Sequence, residues 1–230
     1  MNSKSNEMEV GILKKAWSMR TFYLSFVLLV LIWFAGRELI NFIEQQDTTG
    51  IGSDLVSLGI KTVIMVGLGL FWINRTNQQL WVNKRKLYNG NFPTVFWVVL
   101  AMFVAYLFFL MLSAHHGFYI QSNPFKSGEF LSVTLGAGLI EEFLFRGFFM
   151  NFLMKRYGIV AANMIQAILF QISHFPLYYL EGLTVWAWLI NIANVLPLGL
   201  IFGWMFYRTK NLWPTTILHC VWDSGVTLLI

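Results

Sequence analysis

Three ionisable side chains sit within six residues of an otherwise apolar run: Glu141, Glu142 and Arg146 in GLIEEFLFRGFF. A charge at the middle of a bilayer costs roughly 2.5–3.5 kcal/mol on insertion scales, so such groups must be paired, hydrated or functional. Glu142 and Arg146 are four apart, share a helix face, and have the acid on the favourable N-terminal side. Glu141 is about 100° away around the helix. That leaves Glu141 as the acid free to face a cavity, where a carboxylate can take a proton from water. The bland alternative is a buried ion-pair network that only holds helices together.

Two further clusters have the same character. His174 follows Phe170 by four residues in FQISHF, near a helix end, where a satisfied interfacial role competes with a chemical one. His219 and Asp223 in HCVWD are four apart and can hydrogen-bond on one face. The carboxylate would fix the imidazole tautomer and raise its basicity. Asn191 and Asn194 add amide donors for interhelical bonds or for an oxyanion. Glutamate, aspartate and two histidines are acceptable zinc ligands. No HExxH accompanies them, so zinc is the minority reading. His115 and His116 read as ordinary loop residues, and Cys220 as a small packing residue.

The elements that must position these groups are membrane helices. The 230-residue chain is 57% hydrophobic and only 12% charged, with mean hydropathy +0.61, whereas soluble domains carry about 25% charge. Runs of about 20 apolar residues predict seven spans, at 21–43, 54–74, 93–114, 130–154, 158–175, 183–206 and 212–229. This is an all-α polytopic bundle with its site inside. It is one integral domain, with a tail and three spans in 1–129 and a catalytic core of about four in 130–230. The polar, basic first 20 residues precede a long apolar run without a cleavage signal, which reads as a retained signal anchor.

Lys4, Lys14, Lys15, Arg20, Arg75, Lys84, Arg85, Lys86, Lys155, Arg156, Arg208 and Lys210 fall in the tail and in alternate loops, while the intervening loops hold only Lys126. The positive-inside rule puts the N-terminus in the cytoplasm and the C-terminus outside. The net charge of +5 therefore reads as topology and lipid contact, not a nucleic-acid footprint. Intramembrane Arg37, Glu38 and Lys61 are expected to pair among themselves or snorkel. Gly199 and Gly203 mark a close helix approach.

The ordered motifs EExxxR (Glu141–Arg146), FxxxH (Phe170–His174) and HxxxD (His219–Asp223) resemble those of the CPBP family, the CAAX-protease and bacteriocin-processing (Abi) membrane proteins. The likeness covers roughly 130–229, including NLWPTTILHCVWD. It implies a metal-independent intramembrane glutamate endopeptidase. Glu141 would activate water, His174 would assist, and His219 and Asp223 would lie near the oxyanion. Glu142, Arg146, Phe170, Asn191 and Asn194 would support the site. Many members carry Asn where this chain has Asp223. An ionised carboxylate cannot donate to an oxyanion, so Asp223 is expected to orient His219 or water. Substrates would be membrane-associated peptides or protein tails, in peptide maturation or bacteriocin self-immunity, at a plasma membrane. A non-catalytic scaffold or immunity protein is the alternative. A proton-coupled transporter is the weaker one, since no inverted repeat is evident.

Overall fold

The computed structural model describes residues 17–46, 50–127 and 130–230. Lys4, Lys14 and Lys15, counted above among the basic residues of the tail, lie outside them. All regular structure among the described residues is helical. Helix α1 is Met19–Glu44, capped by Ser18, whose hydroxyl accepts from the Thr21 N–H. Then come α2 (Ile51–Gln79) and α3 (Thr94–His115), the long run α4 (Ser132–Leu180), α5 (Val185–Thr209) and α6 (Leu212–Leu229). The first five are long and apolar enough to cross a membrane. The protein is therefore a multi-pass membrane protein, but the count among the described residues is five where seven spans were expected.

The difference has two physical origins. The expected fourth and fifth spans lie in one run, α4, which is broken at Gly158, whose φ of 71° and ψ of −176° are non-helical and favour glycine, and again at Ser173–His174. The run nevertheless folds back on itself. The rings of Phe145 and Phe170 are 5.0 Å apart, whereas 25 residues of straight helix would separate them by about 37 Å. Limbs 132–157 and 159–180 are thus antiparallel. The last expected span, α6, is 18 residues long and carries Thr215, Thr216, His219, Asp223 and Ser224, which dilute its apolar character.

The basic stretches meet at one end of the bundle. Loop 80–92 is stitched to the turn of α4 by the Asn151 side chain, which accepts from the Val82 N–H and donates to the Val82 carbonyl. Lys155 donates to the Gln78 carbonyl, and Arg156 to the Gln79 side chain and the Trp17 carbonyl. The same loop meets the α5–α6 turn, where Leu212 donates to Leu87 and Asn211 to Gly90. At the opposite end, Asp54 accepts from the N–H groups of Leu131 and Ser132 and caps the start of α4 across the chain. Asp54 is wholly buried.

Close approach fixes the first limb of α4 against α6. A Cβ at Gly138 would stand 2.3 Å from Cys220 Sγ, a contact no real side chain makes. Gly199 and Gly203 likewise face Ala167 and Asn163 of the second limb, as their spacing predicts.

Candidate active site

The first limb of α4 is wound wide over Ser132–Glu141 and again over Phe145–Met150, with π-type turns on either side of Glu142–Leu144. Such widened turns concentrate at functional sites. Here Glu141 and Glu142, adjacent in sequence, enter different networks.

Glu142 is fully buried and is the hub of one network. Arg146 Nη1 donates to its Oε1 at 2.8 Å, as the spacing predicts. His219 Nδ1 donates to the same oxygen, also at 2.8 Å. Arg146 Nη2 donates to the Gly199 carbonyl, which Gln166 also reaches. The guanidinium lies 4.6 Å from the Phe170 ring centroid and 5.4 Å from that of Phe202, positions at which aromatic faces stabilise a desolvated cation. His219 Nε2 is 3.3 Å from Asp223 Oδ2, and its ring stacks on Phe202 at 4.8 Å. The His219–Asp223 pair therefore forms, and a second carboxylate, Glu142, holds the other nitrogen.

Glu141 is not the unpaired acid that the spacing suggested. Lys61 of α2 reaches its Oε1 at 2.7 Å. The expectation that Lys61 pairs with Glu38 or snorkels is thereby corrected, and Glu38 lies on the exposed face of α1. Glu141 Oε2 remains buried with no hydrogen-bond partner among the described residues. Lys61 was legible in principle: Ser53, Asp54, Ser57 and Lys61 follow a three- to four-residue period and are all buried.

His174 owes its position to a helix break. Pro176 has no N–H for the Ile172 carbonyl, and the second limb interrupts at Ser173–His174. The His174 N–H bonds Gln171 instead of Phe170. The freed Phe170 carbonyl accepts from Ser173 Oγ and from His174 Nδ1 at 2.8 Å. With Nδ1 as donor, Nε2 of the neutral ring is an acceptor.

Glu141, His174, His219 and Asp223 line one cavity of about 510 Å³, together with Lys61 and Arg37. Asn191 and Asn194 also line it, though the Asn191 amide donates back to Ala187 of its own helix. Phe170 and Phe202 lie in the same wall. Glu142 and Arg146 stand behind it. Among the described residues no three His, Cys, Asp or Glu side chains are grouped as a metal ion requires. His115 stacks on Tyr119 at the opposite end from the basic loops, and does not reach the cavity. Beyond the spans, the Tyr88 phenol is pushed up to about 12, first by burial and second by the negative charge of Glu142.

Residues 123–225 match a protein family described as Rce1-like, type II CAAX prenyl endopeptidase. The chain is also 25% identical to a CAAX prenyl protease 2 of Methanococcus maripaludis, over 83% of this chain and 76% of its relative. The matched stretch contains all three motifs. Both findings bear out the resemblance to the CPBP and CAAX-protease proteins, and the protein is a CAAX-protease-like endopeptidase of the membrane.

Proposed function

We propose that this protein hydrolyses peptide bonds of membrane-associated peptides or protein tails by a metal-independent glutamate mechanism. Glu141 Oε2 takes a proton from water as the water oxygen bonds to the substrate carbonyl carbon. The tetrahedral oxyanion then collapses, the C–N bond breaks, and the proton passes from Glu141 to the leaving amine. His174 Nε2 orients the attacking water. Asp223 orients His219, which lies on the oxyanion side, and Glu142 with Arg146 holds His219 from behind. No step requires a cofactor. The observation that carries this reading is the shared cavity: four polar groups from two limbs of α4 and from α6 face one space, and Glu141 keeps one carboxylate oxygen unengaged.

Prenylated protein tails are a further candidate substrate class, in keeping with the name of the Methanococcus maripaludis relative. Peptide maturation and bacteriocin self-immunity stand beside them. We place the protein in the plasma membrane with its N-terminus cytoplasmic, supported by the gathering of basic residues at one end of the bundle.

The test follows cleavage of a membrane-anchored peptide library by mass spectrometry, in liposomes, with wild type, Glu141→Gln and His174→Ala. Cleavage lost in both variants and retained with chelator is the expected result. Variants that cut as well as wild type would overturn the mechanism. Wild-type cleavage abolished by chelator would restore the zinc reading. A cellular phenotype that survives Glu141→Gln would favour the scaffold alternative.

A further inference from the structure

Several polar side chains around the cavity are satisfied by the protein itself. Glu141 takes Lys61, His219 takes Asp223, and Ser173 and His174 share the Phe170 carbonyl. Asn191 donates to Ala187, one turn back along α5. Asn194 lines the same cavity, yet its side chain makes no hydrogen bond to any other described residue. It lies nine residues from Val185 and fifteen from Thr209, the two ends of α5. That places it about 13 Å from the nearer end of the helix. An asparagine side chain is too short to reach a membrane interface from there, and an unpaired polar group in hydrocarbon is strongly disfavoured. The Asn194 amide must find its partner in what enters the cavity.

Its height in the cavity says what that partner is. Asn194, Leu198 and Phe202 follow one face of α5 along the cavity wall. His219 stacks on Phe202, so Phe202 marks the level of His219. Eight residues of helix put Asn194 about 12 Å from that level. This is too far for a hydrogen bond to an oxyanion beside His219, the chemical role that spacing alone left open to it. It is the length of about three residues of extended peptide. We propose that Asn194 is a substrate-positioning residue, whose amide hydrogen-bonds the main chain of an extended substrate about three residues from the scissile bond. A primary amide carries the same kinds of donor and acceptor as a peptide group. Its Oδ1 accepts from a substrate N–H, and its Nδ2 donates to a substrate carbonyl. Such bonding reads main chain and not side chain, and it holds an extended segment in register with Glu141. Asn191, whose amide is committed to its own helix, is the structural member of the pair. The inference rests on the peptidase reading above and adds to it a subsite remote from the bond that breaks.

A bond made equally to bound substrate and to transition state changes KM and leaves kcat alone. Asn194→Leu, of similar volume, is therefore expected to raise KM for a cleaved reporter peptide about threefold to tenfold, the usual worth of one uncharged hydrogen bond. Its kcat and thermal stability are expected to stay close to wild type. A set of reporters, each with one peptide N–H replaced by an ester oxygen, then locates the partner. One ester position near the third residue from the scissile bond should cost wild type a similar factor and cost Asn194→Leu nothing further. Equal ester costs in the two proteins, or no sensitive position in wild type, overturn the proposal. So does a loss in kcat with KM unchanged, which would make Asn194 part of the reacting centre, or a lowered melting temperature with KM unchanged, which would make it structural. Should Asn194→Leu fail to assemble, Asn194→Ala is read in the same way. The same cycle is run as binding, by fluorescence anisotropy of labelled reporters on Glu141→Gln with and without Asn194→Leu, so it needs no turnover. Coupling in the binding cycle without cleavage by wild type would count against the peptidase reading alone, and cleavage without coupling against the subsite alone.

Discussion

The two halves of this bundle solve opposite problems with the same helices. The half nearest the basic loops is a dry aromatic solid. Phe22 stacks flat on Phe152 at 5.0 Å and meets Phe149 edge-on, while Trp72 packs on Phe148. At its rim Arg156 and Lys155 bond the carbonyls of Trp17 and Gln78. The far half is hollow and carries the buried charge. Lys61 with Glu141, and Arg146 with Glu142 and His219, are tied together, as buried charges must be if their desolvation is to be offset. Helix association in lipid gains little from apolar burial and depends on packing and interhelical polar bonds. The solid half can therefore hold the bundle together, which leaves the hollow half free to carry the reactive groups.

Three substitutions can break that division. Glu141→Gln should cost the most, about 10²- to 10⁴-fold in kcat, the usual worth of a general base. Turnover of a reporter peptide by purified protein checks it, and a variant within tenfold of wild type, roughly 1.4 kcal/mol on the barrier, would remove Glu141 from the chemistry. Arg146→Met should come next. It strips the fully buried Glu142 of its guanidinium, and breaking such a pair costs about 3–5 kcal/mol. Thermal unfolding in detergent should therefore drop sharply, and activity should fall with it as His219 loses its support. Phe149→Ala, in the solid half, should lower stability by about 3 kcal/mol through the void it leaves. Its distinguishing mark is a kcat per folded molecule equal to wild type. If Phe149→Ala instead slowed turnover in the folded fraction, the two halves would not be separable.

How far these halves were legible in sequence depends on the range of the interaction. The pairs Glu142–Arg146 and His219–Asp223 are local, four residues apart on one helix, and periodicity finds them. Gly199 and Gly203 announce a close approach for the same reason. The bond between His219 and Glu142 spans 77 residues, and the one between Lys61 and Glu141 spans 80. Neither follows from spacing, because each depends on which helices become neighbours. The same limit explains Asp54, whose partners Leu131 and Ser132 lie on another helix. The span count failed for a different reason. A single glycine at Gly158 suffices to reverse a helical run, and its geometry leaves no more than one residue of irregular backbone. The position of His174 was readable only as a helix end. That Pro176 would free the Phe170 carbonyl for the ring required the break itself to be seen.

Lys61 sharpens the comparison with the smallest expected effect. It is the one lysine among the residues lining the cavity, and it engages only one oxygen of Glu141. Were it a mere counterion, any neutral side chain of similar volume would leave turnover of the folded enzyme unchanged. Were it a positioning group, it would be what turns Oε2 toward the water, and its loss would be felt in kcat. We expect Lys61→Met to lower kcat about tenfold to a hundredfold with little change in KM, matching the 1.5–3 kcal/mol of a hydrogen bond to a charged group. Lys61→Arg should recover most of that loss, because a guanidinium can donate to the same oxygen, whereas Lys61→Met cannot donate at all. Kinetics on the three proteins, normalised to folded fraction, decide between the two roles. Equal kcat in Lys61→Met and wild type would make Lys61 a structural ion-pair partner, and would extend the solid half's purely mechanical logic into the wall of the cavity.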